Sequence, residues 1–213
     1  MEKTRPILYG VADYAEIRKT IFGIPNETLK ELAAKMIPAA YSDVHKIDER
    51  VFDTNDGLCD FAENGEWQGF VGILSQIVKE NFAVRDSVEG EKVVQSTLVA
   101  LLTAARGPYF VSHERESGGG FYDIALAPRL EMWPEIAHAA LTEMKYVKVG
   151  DPAPASEQLV RFKADAADQL VRYAADKGLA AAWCLRSDGV PAVSLHRLVM
   201  VFHGGDCVLA EEI

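Results

Sequence analysis

Cysteine is scarce in this sequence: Cys59, Cys184 and Cys207 are the three in 213 residues, far apart and in no metal-ligand spacing. An odd, sparse set excludes a disulfide framework and fits reduced thiols in a cytoplasmic protein. No apolar run approaches the ~20 residues a membrane helix needs. The opening MEKTRPILYG lacks the apolar core and small-residue cleavage site of a secretory signal. Positive charge is also short. The formal net charge is −10, shared as −5 over residues 1–107 and −5 over 108–213, with no lysine-rich tract. Affinity that rests on neutralising phosphates usually shows a basic face, so this balance argues against a stand-alone DNA-binding module. It argues less against an enzyme whose own carboxylates hold a metal. The histidines His45, His113, His138, His196 and His203 carry no zinc spacing. There is no Gly-x-Ser-x-Gly elbow, no phosphate-binding Gly-x-x-x-x-Gly-Lys-Ser/Thr, no 20–50-residue repeat and no low-complexity segment.

What is present is an ordinary globular composition, 49% hydrophobic and 25% charged, long enough for one large domain or a domain with a helical annex. ETLKELAAKMIPAA at 27–40 predicts a helix, with Asn26 as a cap and Pro38 near its end. Residues 41–65 are polar and broken by Gly, Asn and Asp, and suggest no element. Trp67, Phe70, Val71, Leu74, Ile77, Val78 and Phe82 recur at helical spacing, which predicts a core-facing helix over 66–82. EKVVQSTLVALLTAAR at 91–106 predicts another, ended by Gly107-Pro108. Short β-rich runs follow at 110–116, 121–127 and 139–147, then a helix from about 156 to 177 closed by Gly178. LAAAWCL at 179–185 and LHRLVMVF at 195–202 read as further strands, with turns at Asp188-Gly189 and Gly204-Gly205-Asp206. This order is an α/β core, a sheet covered by helices.

Two of the strands carry acid where sheet core should carry none: Asp123 in FYDIALA and Glu143 in AALTEMKYV, with Lys145 two residues on. Alternation puts Asp123 on a face with Ala125 and Ala127, and Tyr122, Ile124 and Leu126 on the other. It puts Glu143 and Lys145 together, opposite Met144 and Tyr146. Pairing of the two strands would let Asp123, Glu143 and Lys145 converge, and the small alanines leave room for a ligand. The row Glu91, Val94, Leu98, Leu101, Ala105 sets an acid on the inward side of one helix. Phe162, Ala166, Gln169, Tyr173 sets an amide and a phenol one turn apart on another. Polar groups at core positions are costly unless they satisfy one another or a ligand. A divalent cation held by one or two carboxylates, water and substrate phosphate is the simplest resolution.

Asp123, then Glu143-Met144-Lys145, on strands, with Glu91 before and Gln169 and Tyr173 after, resembles the PD-(D/E)XK nuclease superfamily. The stretch from about 66 to 203 further resembles the nuclease-like domain that follows an AAA-like ATPase in a bacterial and archaeal family. The resemblance implies a restriction-endonuclease-like α-β-β-β-α-β core, a mixed sheet flanked by helices, over 66–213. Residues 1–65 would be a helical N-terminal region or a linker from a preceding module. It implies a metal-dependent nuclease acting on nucleic acid, with DNA the expected substrate. Glu91, Asp123, Glu143 and the Met144 carbonyl would hold Mg²⁺ or Mn²⁺, and Lys145, Gln169 and Tyr173 would join Asp123 and Glu143 in catalysis. An AAA-like ATPase domain, in cis or in trans, is the implied partner. The turn before Asp123 reads Gly119-Gly120-Phe121-Tyr122, where the family usually carries arginine in Gly-Arg-x-Asp.

Plainer readings stand beside these. Asp123 can be a turn-edge aspartate, Glu91 an acid complementing a helix dipole, and Gln169 with Tyr173 a buried structural pair. Glu143 with Lys145 can be a solvated strand face, and Glu114 an ordinary exposed strand residue. A glycosidase acid/base pair is chemically conceivable, but a lysine two residues from the acid suits phosphate better. The functional alternative is a nuclease-fold module without catalysis, serving as an interaction or regulatory domain of an ATPase-linked protein.

Overall fold

The computed structural model describes residues 50–82, 90–105, 107–183 and 193–213. The helix expected over 27–40 and the Asp188-Gly189 turn lie outside the described residues. Helices α1 (Arg50–Asn64), α2 (Gln68–Asn81) and α3 (Gly90–Ala104) come first. Strands β1 (Tyr109–Ser117), β2 (Gly120–Pro128) and β3 (His138–Val147) follow, then α4 (Ser156–Ala174), α5 (Lys177–Ala182), β4 (Ser194–His203) and β5 (Asp206–Glu212). The expected α-β-β-β-α-β order is therefore present from α3 to β4. None of the described helices is long and apolar enough to cross a membrane.

The strands form one mixed sheet in the order β1-β2-β3-β4-β5. Neighbours are antiparallel except β3 and β4, which run parallel over the whole of both strands, from His138 beside Ser194 to Val147 beside His203. A parallel pair needs a crossover, and α4 lies in it. β3 is the middle strand, buried without a break from Ala139 to Met144. Helices cover both faces. On one, Phe61, Phe70, Leu74, Val94 and Leu98 pack on Ile124, Leu126, Met144 and Phe202. On the other, Ala166, Leu170 and Tyr173 of α4 pack on Ala125, Leu141, Val199 and Val201. Each large apolar side chain sealed in this way contributes about 1.5–3 kcal/mol of transfer free energy.

Two elements differ from the sequence-based expectation. Residues 50–64, where no element was expected, form α1. Gly57, Asn55 and three aspartates depress its helix propensity, but Leu58, Phe61 and Ala62 are almost wholly buried, and burial outweighs propensity. The strand expected over 179–185 is instead helix α5 as far as Ala182. Asp176 caps it, its Oδ1 accepting from the Gly178 N–H at 2.7 Å and the Leu179 N–H at 3.0 Å. The run behind that cap is alanine, the strongest helix former. Gly178 thus opens a helix rather than closing α4, which ends at Ala174.

At the start of β3 and β4 a polar cluster ties α1, α2 and β5 to the sheet. His138 Nδ1 and His196 Nε2 lie 2.8 Å apart, and His196 Nδ1 lies 2.8 Å from Glu212 Oε1. The Trp67 indole donates to Glu212 Oε2 at 3.1 Å, and the Phe61 ring meets the His196 ring edge-on. Nothing in the spacing of the histidines announced this pair; the parallel register of β3 and β4 makes it.

Candidate active site

The site is built where regular pairing in the sheet fails. The β2–β3 register runs from Leu126 beside Ala140 to Ile124 beside Thr142 and stops there. The next pair in that register would set Asp123 against Glu143, two like charges on adjacent strands, an arrangement that destabilises a sheet. The β1–β2 register omits Asp123 too, passing from His113 beside Ile124 to Arg115 beside Tyr122. Glu114, the residue skipped in β1, has a φ of 47° and is exposed. Asp123 is therefore left out of the ladder on both sides.

The break changes the facing of the strand. Ala125 and Tyr122, three residues apart, both belong to the core on the α4 face. The expectation that Tyr122 would lie opposite Asp123's face, with Ile124 and Leu126, is corrected: strict alternation assumes an unbroken ladder, and here the Glu114–Asp123 pair drops out of it, with Glu114 at positive φ, while the register on either side stays the same. The Tyr122 hydroxyl instead meets Ser112 Oγ at 2.9 Å.

With its backbone left out of both ladders, Asp123 uses its side chain. Its Oδ2 accepts the Met144 N–H at 2.7 Å, in place of a strand partner. From the other side, the Gln95 amide of α3 donates to the Asp123 carbonyl at 3.2 Å. Burial pushes the Asp123 carboxyl up, opposed by the Met144 N–H and by Lys145.

Glu143 and Lys145 share a face of β3, as alternation predicts, while Met144 and Tyr146 pack in the opposite core. The Lys145 ammonium donates to Glu143 Oε1 at 2.9 Å. The Gln169 amide reaches the pair from α4, its nitrogen donating to Glu143 Oε1 and its oxygen accepting from Lys145 Nζ at 3.2 Å. Glu143 Oε2 is buried and has no hydrogen-bond partner among the described residues. Burial, and then the Asp123 carboxylate, push Glu143 up to about 7 despite Lys145. Tyr173, one turn beyond Gln169, is buried with its ring against Gly120. Burial and then the Glu143 carboxylate push its phenol up, so it stays protonated at neutral pH.

Asp123, Glu143, Lys145, Gln169 and Tyr173 thus lie together. Glu91, expected on the inward side of its helix, is instead exposed. The buried stripe of α3 runs through Val94, Gln95, Leu98 and Leu102, and Glu91 lies in the first turn beyond it, where its charge reaches both Asp123 and Glu143 without any bond to either. Among the described residues no three His, Cys, Asp or Glu side chains converge closely enough to hold a metal by themselves. The two carboxylates nonetheless suit a hard cation that keeps water or phosphate on its remaining positions. The orphaned Glu143 oxygen is the observation that fits it, because a buried carboxylate oxygen without a donor is costly unless a cation meets it.

The hairpin that carries Asp123 is fixed to the end of α4. Ser117 Oγ donates to the Tyr173 carbonyl at 3.2 Å, and the Gly118 N–H donates to Asp176 Oδ2 at 3.1 Å. Sequence reasoning missed this anchor and missed Gln95. The signal for Gln95 was available: a polar residue one turn after Glu91, inside an otherwise apolar stripe.

Searches of curated proteins and of solved structures returned no match. A family model of the PD-(D/E)XK nuclease superfamily matches residues 89–212, the stretch from the start of α3 to the end of β5. With more than half its length matched, and the fold and the acidic break described above, the chain belongs to the PD-(D/E)XK nuclease superfamily.

Proposed function

We propose that this protein is a divalent-metal-dependent nuclease that hydrolyses phosphodiester bonds in DNA at the Asp123–Glu143–Lys145 site. The single observation that carries the proposal is the buried, unpartnered Glu143 Oε2 beside Asp123 and an ammonium group. Asp123, Glu143 and the Met144 carbonyl would hold Mg²⁺ or Mn²⁺, with Glu91 at the rim reinforcing the negative field. Held there, such a cation would supply Lewis-acid polarisation of the phosphate and a more acidic water. Lys145 orients the attacking water and neutralises charge that builds on the phosphate oxygens. Gln169 holds Glu143 and Lys145 in register with one amide, accepting from one and donating to the other. Tyr173, kept neutral, presents a hydroxyl donor to the site or to the nucleic-acid backbone.

A second reading is favoured by Phe121, which stands where the family usually carries arginine, and by the net charge of −10. In it the domain is a nuclease fold without catalysis, a regulatory module of an AAA-like ATPase partner. One experiment separates the two. Plasmid and single-stranded DNA are incubated with Mg²⁺ or Mn²⁺ and wild type, Asp123→Ala or Lys145→Ala protein. The nuclease reading expects metal-dependent cleavage that falls by a factor of about 10²–10³ or more in each variant. Cleavage that survives both substitutions eliminates this site. No cleavage by wild type, with no change in melting temperature on adding Mn²⁺, leaves the regulatory module.

A further inference from the structure

We propose that Gln95 is a positioning residue for the site, acting through the Asp123 peptide. The inference rests on the reading of Asp123 as a metal ligand. Its basis is a gap in the sheet: Asp123 is skipped by the β1–β2 register and lies beyond the end of the β2–β3 register. A backbone carbonyl at such a gap has lost its strand partner, and in a buried setting it must find another. The Gln95 amide supplies it, donating to the Asp123 carbonyl at 3.2 Å. Gln95 is itself 8% exposed, on a helix stripe whose other buried side chains include Val94, Leu98 and Leu102. A buried amide in such a stripe is retained only where it is satisfied.

The geometry gives the contact a direction. Two bonds hold the Asp123 residue: Gln95 on its carbonyl, and the Met144 N–H on its carboxylate. The first fixes the peptide plane, and the plane sets where Cβ projects. The carboxylate can then reach Met144, directly beside Glu143. Removing the amide frees the peptide to rotate, and the carboxylate leaves both Met144 and the cation position.

The test uses the full chain and two variants, Gln95→Leu, which removes the donor, and Gln95→Glu, which keeps the length but offers no donor once ionised. Melting temperature reports folding, amide hydrogen exchange reports the Met144 N–H, and titration with Mn²⁺ alone reports the site without any turnover. The expected result is a Met144 amide that exchanges at least about tenfold faster, core amides such as Leu98 and Val199 unchanged, and a Mn²⁺ dissociation constant about 10–100 times larger. Unchanged Met144 exchange and unchanged Mn²⁺ affinity in whichever variants fold overturn the proposal. So does a uniform rise in exchange across the core, which marks a merely structural amide. If wild type binds no Mn²⁺, the metal reading of the site fails separately, and Met144 exchange alone then decides whether Gln95 holds Asp123.

Discussion

At the scale of single residues, Glu143 concentrates the chemistry and the cost. Its folded pKa of about 7 lies above the ordinary 4.5, so between those values the folded protein binds the proton that the unfolded chain has lost. Stability contributed by this group is therefore full below about pH 4.5 and declines as the pH rises through 7. Glu143→Gln should melt higher than wild type in EDTA at pH 8 and nearly level with it at pH 5. Mn²⁺ should raise the melting point of wild type and leave the variant unmoved. An equal difference at both pH values would show that the side chain is not held against its charge. The carboxylates and Lys145 were legible in the sequence because charge inside an apolar run is costly, so it stands out. Gln95 left a fainter signal, a polar residue in an apolar helix stripe, and such an amide looks like any tolerated polar residue until a carbonyl that needs it is found opposite. The turned-over Tyr122 was hidden for a related reason, since alternation carries no mark of where a ladder loses a pair.

Among the elements, the β1–β2 hairpin and α4 work as one unit. Gly118 has a φ of 57°, and a Cβ placed on it would overlap the Arg172 carbonyl oxygen in the last turn of α4. Gly118→Ala therefore meets both backbone strain and a backbone clash, a penalty of about 2 kcal/mol, which should lower the melting temperature by about 4–8 °C. Because Ser117 and Gly118 fasten the hairpin beside Tyr173, cleavage should fall along with stability; a variant that melts like wild type would show the hairpin to be free of α4. β1 to β4 and α2, α3 and α4 were readable from local pattern, whereas for β5 only the turn before it was. α1 was not, because its glycine, asparagine and aspartates speak for loop while only the tertiary burial of Leu58 and Phe61 speaks for helix. α5 was misread because a short alanine-rich run fits either state, and the deciding cap at Asp176 precedes it.

For the molecule as a whole, His138 at the base of the parallel strands sets a pH limit. Burial, and then the neighbouring His196, hold His138 below the ordinary 6.5, with Glu212 pulling the other way. The unfolded chain thus takes up this proton first as the pH falls, so the stability tied to His138 is whole above about 6.5 and is lost progressively below it. The melting temperature of wild type should drop more steeply between pH 7 and pH 5 than that of His138→Asn; equal slopes would remove His138 as the source. The same junction has an architectural consequence. Phe61 and Trp67 precede the stretch that the family model matches, yet they lean on His196 and Glu212 within it, and the helices they belong to shield Met200 and Phe202. Pared down to its recognisable portion, the molecule would lose the roof over one flank of its sheet, and a bare greasy plane would be left to stick to its own copies.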